Sequence, residues 1–164
     1  MNSYVLAFAF DDLGRVALIK KARPEWQQGK WNGVGGKIED FDAYPSEAMS
    51  REFEEETGVR ISDREWKYAG RMDGYLGPQG LCFKEWEVLI FTIKSKLVRD
   101  VKQMTDEHVH LYPCWAVPIN SLDNVRALVQ LCQLGDVSSF ALEYRRENER
   151  CPGDTVIRPE LSAS

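Results

Sequence analysis

The segment between Pro45 and Gly58 constrains the fold more than any other part of the sequence. Proline is favoured in the first turn of a helix and glycine directly after the last turn, so the pattern predicts one helix over this segment. Glu52, Glu55 and Glu56 stand at positions i, i+3 and i+4 of that helix. Side chains at this spacing share one face, so the helix has to place these carboxylates side by side.

Local electrostatics oppose this cluster of Glu52, Glu55 and Glu56. Like charges at helical spacing repel by roughly 0.2–0.5 kcal/mol per pair, and the helix dipole disfavours an acid in the last turn by about 0.3–1 kcal/mol. A solvated acidic face is the ordinary explanation of a charge run, and we accept it for Glu54, which points away from the cluster. For the other three, a bound hard divalent cation would offset the repulsion, since Mg²⁺ pairs a few carboxylates with phosphate oxygens and water.

Two glycines and a lysine precede the helix, at Gly35, Gly36 and Lys37. Residues without a Cβ allow the backbone to approach a metal ion or a diphosphate closely. A lysine can meet a phosphate as a point charge. The stretch from Gly35 to Gly58 therefore predicts a metal-assisted site for a phosphate-bearing ligand.

This stretch resembles the Nudix box, G-x5-E-x7-R-E-U-x-E-E-x-G-U, in which U is a bulky apolar residue. The places of the box are taken by Gly36, Arg51, Glu52, Phe53, Glu55, Glu56, Gly58 and Val59. One position departs from it, because Arg51 follows Gly36 by fifteen residues where the box has fourteen. The loop Asp40–Tyr44 is thus one residue longer, and the first glutamate of the box is replaced by Asp42 or displaced.

The resemblance implies a single-domain α/β fold, the Nudix-type α/β/α sandwich, in which helices flank a mixed β-sheet. It also implies a hydrolase that cleaves a diphosphate linkage with Mg²⁺ or Mn²⁺. Glu52, Glu55 and Glu56 would bind the metal, the backbone carbonyl of Gly35 is a further candidate ligand, and Arg51 would position the carboxylates by ion pairing.

The general base is open between two parts of the chain. Glu52 could serve directly, but many relatives use a carboxylate from a later loop, where this chain has Asp106 and Glu107. We rank Glu107 first as the catalytic residue, with an ordinary exposed acid as the alternative interpretation.

The stretch Lys30–Lys37 resembles members that suppress mutation by hydrolysing oxidised purine nucleoside triphosphates to monophosphate and pyrophosphate. In those members the asparagine contacts the base, and an amide such as Asn32 can offer a donor and an acceptor to a purine edge. Asn32 before a glycine is equally a turn signal. Trp31 is a candidate for stacking on the base, as are Trp26 and Trp115, and Gly36 and Lys37 are candidates for binding the phosphates.

Two other functions remain open. Tyr75 lies downstream of the box, where ADP-ribose and dinucleoside-polyphosphate hydrolases of this family carry distinguishing residues, so such a substrate is the first alternative. A nucleotide-binding sensor that has lost turnover is the second. Sensors typically erode the carboxylate cluster, whereas Glu52, Glu55 and Glu56 are all present here.

Apolar patterning predicts the rest of the fold. A β-hairpin joins Tyr4–Phe10 to Arg15–Lys21, and a second helix covers Leu122–Leu134. The further predicted strands are Val34–Ile38, Val59–Ile61, Trp66–Asp73, Phe83–Lys94 and one near His108–Val117. We expect one domain over residues 1–146, followed by a polar, loose tail over 147–164.

Composition limits the partners. The net charge of −5 argues against a protein that grips long nucleic acid, which needs clustered lysines and arginines, and favours a small nucleotide held through local cations or a metal. The apolar run Tyr4–Phe10 is too short for a membrane span, so we expect no membrane partner and a cytoplasmic location. The sequence leaves open whether the chain forms a homodimer.

Overall fold

The two long helices pack against opposite faces of a mixed β-sheet in the computed structural model, which describes residues 1–78, 81–134, 139–146 and 154–159. The strands are β1 (Asn2–Phe10), β2 (Arg15–Lys20), β3 (Trp31–Asn32), β4 (Val34–Lys37), β5 (Lys67–Leu76), β6 (Phe83–Lys94), β7 (Val109–Pro113), β8 (Phe140–Arg146) and β9 (Asp154–Pro159). The helices are α1 (Pro45–Thr57) and α2 (Val125–Gln133), with short 3-10 turns at Glu25–Gln27 and Lys96–Asp100.

Strand β1 is the centre of the sheet. It runs parallel to β6 along its whole length and antiparallel to β2 and β4. The strand order is β3-β2-β1-β6-β5-β8-β9, with β4 paired to β1 and β7 paired to β2. The β2–β7 pairing brings the loop before β7 next to the end of β2, which matters for the site described below.

Alternate residues of β1 fill two separate cores. Val5, Ala7 and Ala9 face α1, whereas Leu6 and Phe8 face α2. Successive side chains of a strand point to opposite faces, so a strand that is apolar at nearly every position belongs between two layers. The arrangement is an α/β sandwich in one domain and confirms the predicted fold class.

Tyr4–Phe10 lies within β1, as predicted, and pairs with β2 through a hairpin whose turn includes Gly14 at φ 73°. The Asp11 carboxylate closes this turn by accepting hydrogen bonds from the N–H groups of Leu13 and Arg15, each at 2.9 Å. None of the helices in the described part of the chain is long and apolar enough to cross a membrane.

One predicted strand was wrong. Val59–Ile61 is not a strand, because Val59 and Ile61 are buried against α1 without a neighbouring strand to pair with. Within the predicted tail over 147–164, Asp154–Pro159 forms β9, which pairs antiparallel with β8. The other tail positions lie outside the described residues.

Candidate active site

Helix α1 has the ends that the sequence predicts. It begins at Pro45, and Gly58 ends it in the left-handed conformation at φ 74°, donating its N–H to the carbonyl of Glu54. Met49 and Phe53 are fully buried, one helical turn apart, and fix the helix on the sheet. Glu52 and Glu56 lie beside this buried stripe, while the Glu55 side chain is 58% exposed.

Arg51 joins the helix to the preceding loop. Its Nε and Nη2 donate to the two carboxylate oxygens of Asp42 at 3.0 and 2.9 Å, and its Nη1 donates to Glu52 Oε1 at 2.7 Å. Nη2 also donates to the backbone carbonyl of Lys37 at 2.9 Å. The hydrogen bonds from Arg51 hold the pKa of the Asp42 carboxyl below its usual value. The extra loop residue thus leaves Asp42 as an anchor for the arginine that orients Glu52.

Gly36 leaves the space that the Glu52 carboxylate fills. A Cβ at Gly36 would lie 2.3 Å from Glu52 Oε2, which is closer than atoms can approach. The neighbouring Gly35 has a different reason, because its Cβ would lie 2.0 Å from the carbonyl oxygen of Val5 in β1. Burial raises the pKa of the Glu52 carboxyl against the opposing effect of Arg51, so its negative charge is not fully compensated by the protein.

A second contact brings the loop before β7 to the helix. Thr105 donates its hydroxyl hydrogen to Glu56 Oε2 at 3.2 Å, and its oxygen accepts the backbone N–H of Glu107 at 3.2 Å. Burial raises the pKa of the Glu56 carboxyl, and the negative charge of Glu107 raises it further. Glu56 and Glu107 are therefore linked through Thr105 and lie close enough for their charges to interact.

Glu107 is buried, with 3% of its side chain exposed, and Lys21 donates to its Oε2 at 3.0 Å. Its other oxygen accepts the backbone N–H of Ala22 at 2.7 Å. Asp106, the alternative in the sequence, is exposed and pairs with the exposed Arg23. The structure thus brings Glu107 to the predicted cluster and leaves Asp106 outside it.

Sequence reasoning missed Lys21 and Thr105. Lys21 and Glu107 are separated by 86 positions, and only the pairing of β2 with β7 brings them together. Neither residue belongs to a motif, so no local signal indicates it. Knowledge of the antiparallel register of β2 and β7 would have placed Lys21 beside Glu107.

The available donors suit a hard divalent cation. They are carboxylate oxygens from Glu52, Glu55, Glu56 and Glu107, the ligand type that Mg²⁺ and Mn²⁺ prefer. For Glu52 and Glu56, burial raises the carboxyl pKa more than the neighbouring cationic side chains lower it. Within the described residues, no group of three or more His, Cys, Asp or Glu lies close enough to hold a metal ion. The donor chemistry fits a metal ion, and a closed ligand set requires the side chains to move together.

The candidate substrate residues are divided between core and surface. Trp31 is buried and packs edge-to-face on Tyr112 with ring centroids 5.0 Å apart, so little of its ring is open to a base. The Oδ1 of Asn32 accepts the N–H of Gly33 at 2.8 Å, which is the local use that a turn predicts. Lys37 is exposed beside Gly36.

The other two tryptophans are open to solvent. Trp115 is 89% exposed and Trp26 is 66% exposed, so both offer ring faces that Trp31 does not. The Tyr75 ring is covered by the guanidinium of Arg145, which lies 5.0 Å from the ring centroid.

The family model of the NUDIX domain matches residues 2–129, a span that contains every candidate site residue. This chain belongs to the Nudix hydrolase family. Among curated proteins, no significant sequence match was found.

Solved structures share the Nudix fold. The mutator MutT protein of Bacillus halodurans is 17% identical, with a TM-score of 0.73 over 98% of this chain and 100% of that chain. The MutT NUDIX hydrolase of Burkholderia pseudomallei is 22% identical, with a TM-score of 0.61 over 79% and 96%. The NUDIX domain of Shewanella oneidensis NrtR, complexed with ADP ribose, is 15% identical, with a TM-score of 0.59 over 80% and 86%. At these identities the likeness is one of fold.

Nudix hydrolases generally use divalent metal ions, in agreement with the carboxylate donors of this site. The long loop of this Nudix hydrolase is accommodated by the bidentate pairing of Asp42 with Arg51. The glutamates of the Nudix helix and the buried Glu107 are therefore available together in one region of the enzyme.

Proposed function

We propose that this Nudix hydrolase converts a nucleoside triphosphate, such as an oxidised purine nucleotide, to a monophosphate and pyrophosphate with Mg²⁺ or Mn²⁺. The observation that carries the proposal is the approach of Glu107 to Glu56 through Thr105. The half-buried Glu56 and the buried Glu107 add their negative charges in one place, and a cation bound beside them would offset the cost of this repulsion. The stretch Lys30–Lys37, which resembles the members that hydrolyse oxidised purine nucleoside triphosphates, supports a nucleotide as the substrate.

The protein residues divide the work of the reaction. Glu52, Glu55 and Glu56 would hold the metal, with the Gly35 carbonyl as a further ligand, and Arg51 keeps Glu52 oriented. When bound, the metal supplies charge neutralisation at the phosphate oxygens and an activated water. Glu107, which is linked to Glu56 through Thr105 and whose carboxylate would also reach the cation, would accept the proton of that water.

The substrate side relies on fewer contacts. Gly36 lies beside Glu52 and would bind the phosphates through its backbone, and the ammonium group of the adjacent Lys37 would bind them as a point charge. Asn32 would offer its amide to the base, which requires its Oδ1 to exchange the hydrogen bond from Gly33 for one to the ligand. The buried ring of Trp31 would pack behind the base. Stacking directly on the base would fall to Trp26 or Trp115, whose rings are exposed.

Variants of the helix test the proposal. Glu56→Gln keeps the shape of the side chain and removes its charge, so the protein should fold while its release of pyrophosphate with Mg²⁺ falls by at least about a hundredfold. Glu55→Gln should give a smaller loss of the same kind. Glu54→Gln is the matched control, because Glu54 pairs with Arg60 on the exposed side of the helix. Turnover at the wild-type rate in the Glu55 and Glu56 variants would contradict the metal role.

Chromatography of the products separates the remaining functions. The structural likeness to a domain that binds ADP ribose supports an ADP-ribose or dinucleoside-polyphosphate hydrolase as the second candidate. That enzyme would release two phosphate-bearing fragments and no pyrophosphate, whereas the first would release a monophosphate and pyrophosphate. Nucleotide binding without any product under Mg²⁺ and Mn²⁺ would instead favour a sensor.

A further inference from the structure

Lys21 and Glu107 form an ion pair that is largely withdrawn from solvent. Their side chains are 18% and 3% exposed, and Lys21 Nζ lies 3.0 Å from Glu107 Oε2. Exposed ion pairs contribute little to stability, whereas charges held away from water interact strongly with their neighbours. This ammonium group is therefore a strong local charge in the candidate site.

The two oxygens of Glu107 have different partners. The backbone N–H of Ala22 holds Oε1 at 2.7 Å, and this contact does not depend on the lysine side chain. Lys21 occupies Oε2, the oxygen left to meet a cation. Glu107 is thus positioned by the backbone on one side and neutralised by Lys21 on the other.

The charge of Lys21 also reaches the helix. Its partner Glu107 is linked to Glu56 through Thr105, which donates to Glu56 Oε2 at 3.2 Å and accepts the backbone N–H of Glu107 at 3.2 Å. A divalent cation near Glu56 and Glu107 would therefore experience repulsion from the same ammonium group.

We propose that Lys21 is a positioning residue that competes with the divalent cation for Glu107 and thereby sets the metal concentration that the enzyme requires. The inference rests on the proposed metal site. Its geometric basis is that Lys21 and the cation would bind the same oxygen, Glu107 Oε2. The hydrogen bond from the Ala22 N–H to Oε1 would keep Glu107 in place when Lys21 is displaced.

Replacement of the lysine separates competition from a merely structural role. Lys21→Met keeps the length of the side chain and removes its charge, so Mn²⁺ should bind about tenfold more tightly to the protein without substrate. Lys21→Arg keeps the charge and should bind Mn²⁺ as the wild type does. The control is Lys20→Met, because Lys20 points to the opposite side of β2.

Mn²⁺ binding is measured by titration with electron paramagnetic resonance, which detects the free ion, and folding is followed by thermal unfolding in EDTA. Mn²⁺ affinity that is unchanged or weaker in Lys21→Met overturns the proposal. Unchanged affinity would show that Lys21 does not compete with the ion, and weaker affinity would show that it only supports the structure of the site. If Lys21→Met fails to fold, Lys21→Gln applies the same test with an uncharged donor.

The outcomes distinguish this inference from the proposed function. Tighter Mn²⁺ binding in the variant, together with no hydrolysis of any nucleoside triphosphate by the wild type, supports Lys21 and contradicts the substrate assignment. Normal hydrolysis by the wild type with unchanged affinity in the variant contradicts Lys21 alone. A wild type that binds no Mn²⁺ overturns both.

Discussion

Asp42 is the residue through which the unusual loop acts on the site. Its side chain is 2% exposed and receives two hydrogen bonds from Arg51, which in turn donates to Glu52. The centroid of the Phe41 ring lies 5.3 Å from the guanidinium carbon of the same arginine. The loop and the helix acids are thus connected through one arginine.

Replacing Asp42 with Asn should disturb catalysis more than substrate binding. The variant loses a charged partner of Arg51, so we expect kcat to fall by about tenfold with a smaller change in KM, and stability to fall by about 1–3 kcal/mol. Steady-state kinetics and urea unfolding measure the two effects. Asp40→Asn, an exposed position in the same loop, is the control and should match the wild type.

The stability deficit of the Asp42 variant should depend on pH in a defined direction. Hydrogen bonds from Arg51 lower the pKa of Asp42 in the folded protein, so the folded state holds this proton less tightly than the unfolded chain. The stabilisation is present above the unfolded pKa of about 3.9 and is lost as the pH falls through the lower folded value. A deficit that stays constant from pH 7 to pH 2 would contradict this origin.

At the scale of elements, adjacent glycines of β4 separate function from folding. Gly36→Ala puts a methyl group where the Glu52 carboxylate lies, and this flexible end of a side chain can move. Gly35→Ala puts the same group against the backbone of β1, which cannot move without breaking the strand pairing.

We therefore expect Gly36→Ala to fold with little loss of stability and to lose metal affinity and turnover by at least about tenfold. Gly35→Ala should instead lower the unfolding temperature or fail to fold. Thermal unfolding and Mn²⁺ titration distinguish the two variants. Equal stability of the two would contradict the assignment of Gly35 to the sheet.

Helix α1 carries a folding cost at Glu56. Burial raises the pKa of Glu56 above its unfolded value, so the folded state binds the proton more tightly, and stability falls as the pH rises from the unfolded value to the folded one. Glu56→Gln should stabilise the protein in EDTA at pH 7 by about 0.5–1 kcal/mol, and the gain should vanish below pH about 4. With added Mn²⁺ the wild type should become the more stable protein, since only it retains the Glu56 carboxylate as a metal ligand. Denaturant unfolding at each pH measures the difference.

Local signals determine which elements the sequence reveals. Pro45 and Gly58 mark the ends of α1, and the predicted strand Phe83–Lys94 has the same bounds as β6. Val59–Ile61 was misassigned because burial of alternate residues does not require a pairing partner. The pairing of β8 with β9 was missed for the converse reason, since a polar edge strand carries little apolar pattern.

Long-range pairing explains what the sequence could not reveal about the site. The glutamates of one helix are visible from their spacing, and Glu107 was ranked through family resemblance. The Lys21–Glu107 ion pair arises only after β2 and β7 pair, and the role of Asp42 depends on how the longer loop returns to Arg51. Such contacts follow from the register of the sheet.

At the scale of the whole molecule, the candidate site and the end of the sheet are separate regions. The candidate acids and glycines lie between Gly35 and Glu107, on α1, β4 and the loop before β7. Strand β9 lies at the other end of the strand order, where its backbone pairs with β8 from Phe140 to Arg145. We propose that residues 1–146 carry the catalytic domain and that β9 protects its edge.

A chain ending at Arg146 tests this division. Removal of β9 exposes the outer edge of β8, a strand that contributes Phe140 and Leu142 to the core on the α2 face. We expect kcat within about twofold of the full chain, an unfolding temperature lower by roughly 2–6 °C, and a greater tendency to aggregate through the open edge. Kinetics, thermal unfolding and light scattering measure these effects. A folded truncated chain with a large loss of kcat would instead assign part of the substrate site to residues 147–164, because loss of edge protection alone lowers stability without changing the catalytic residues.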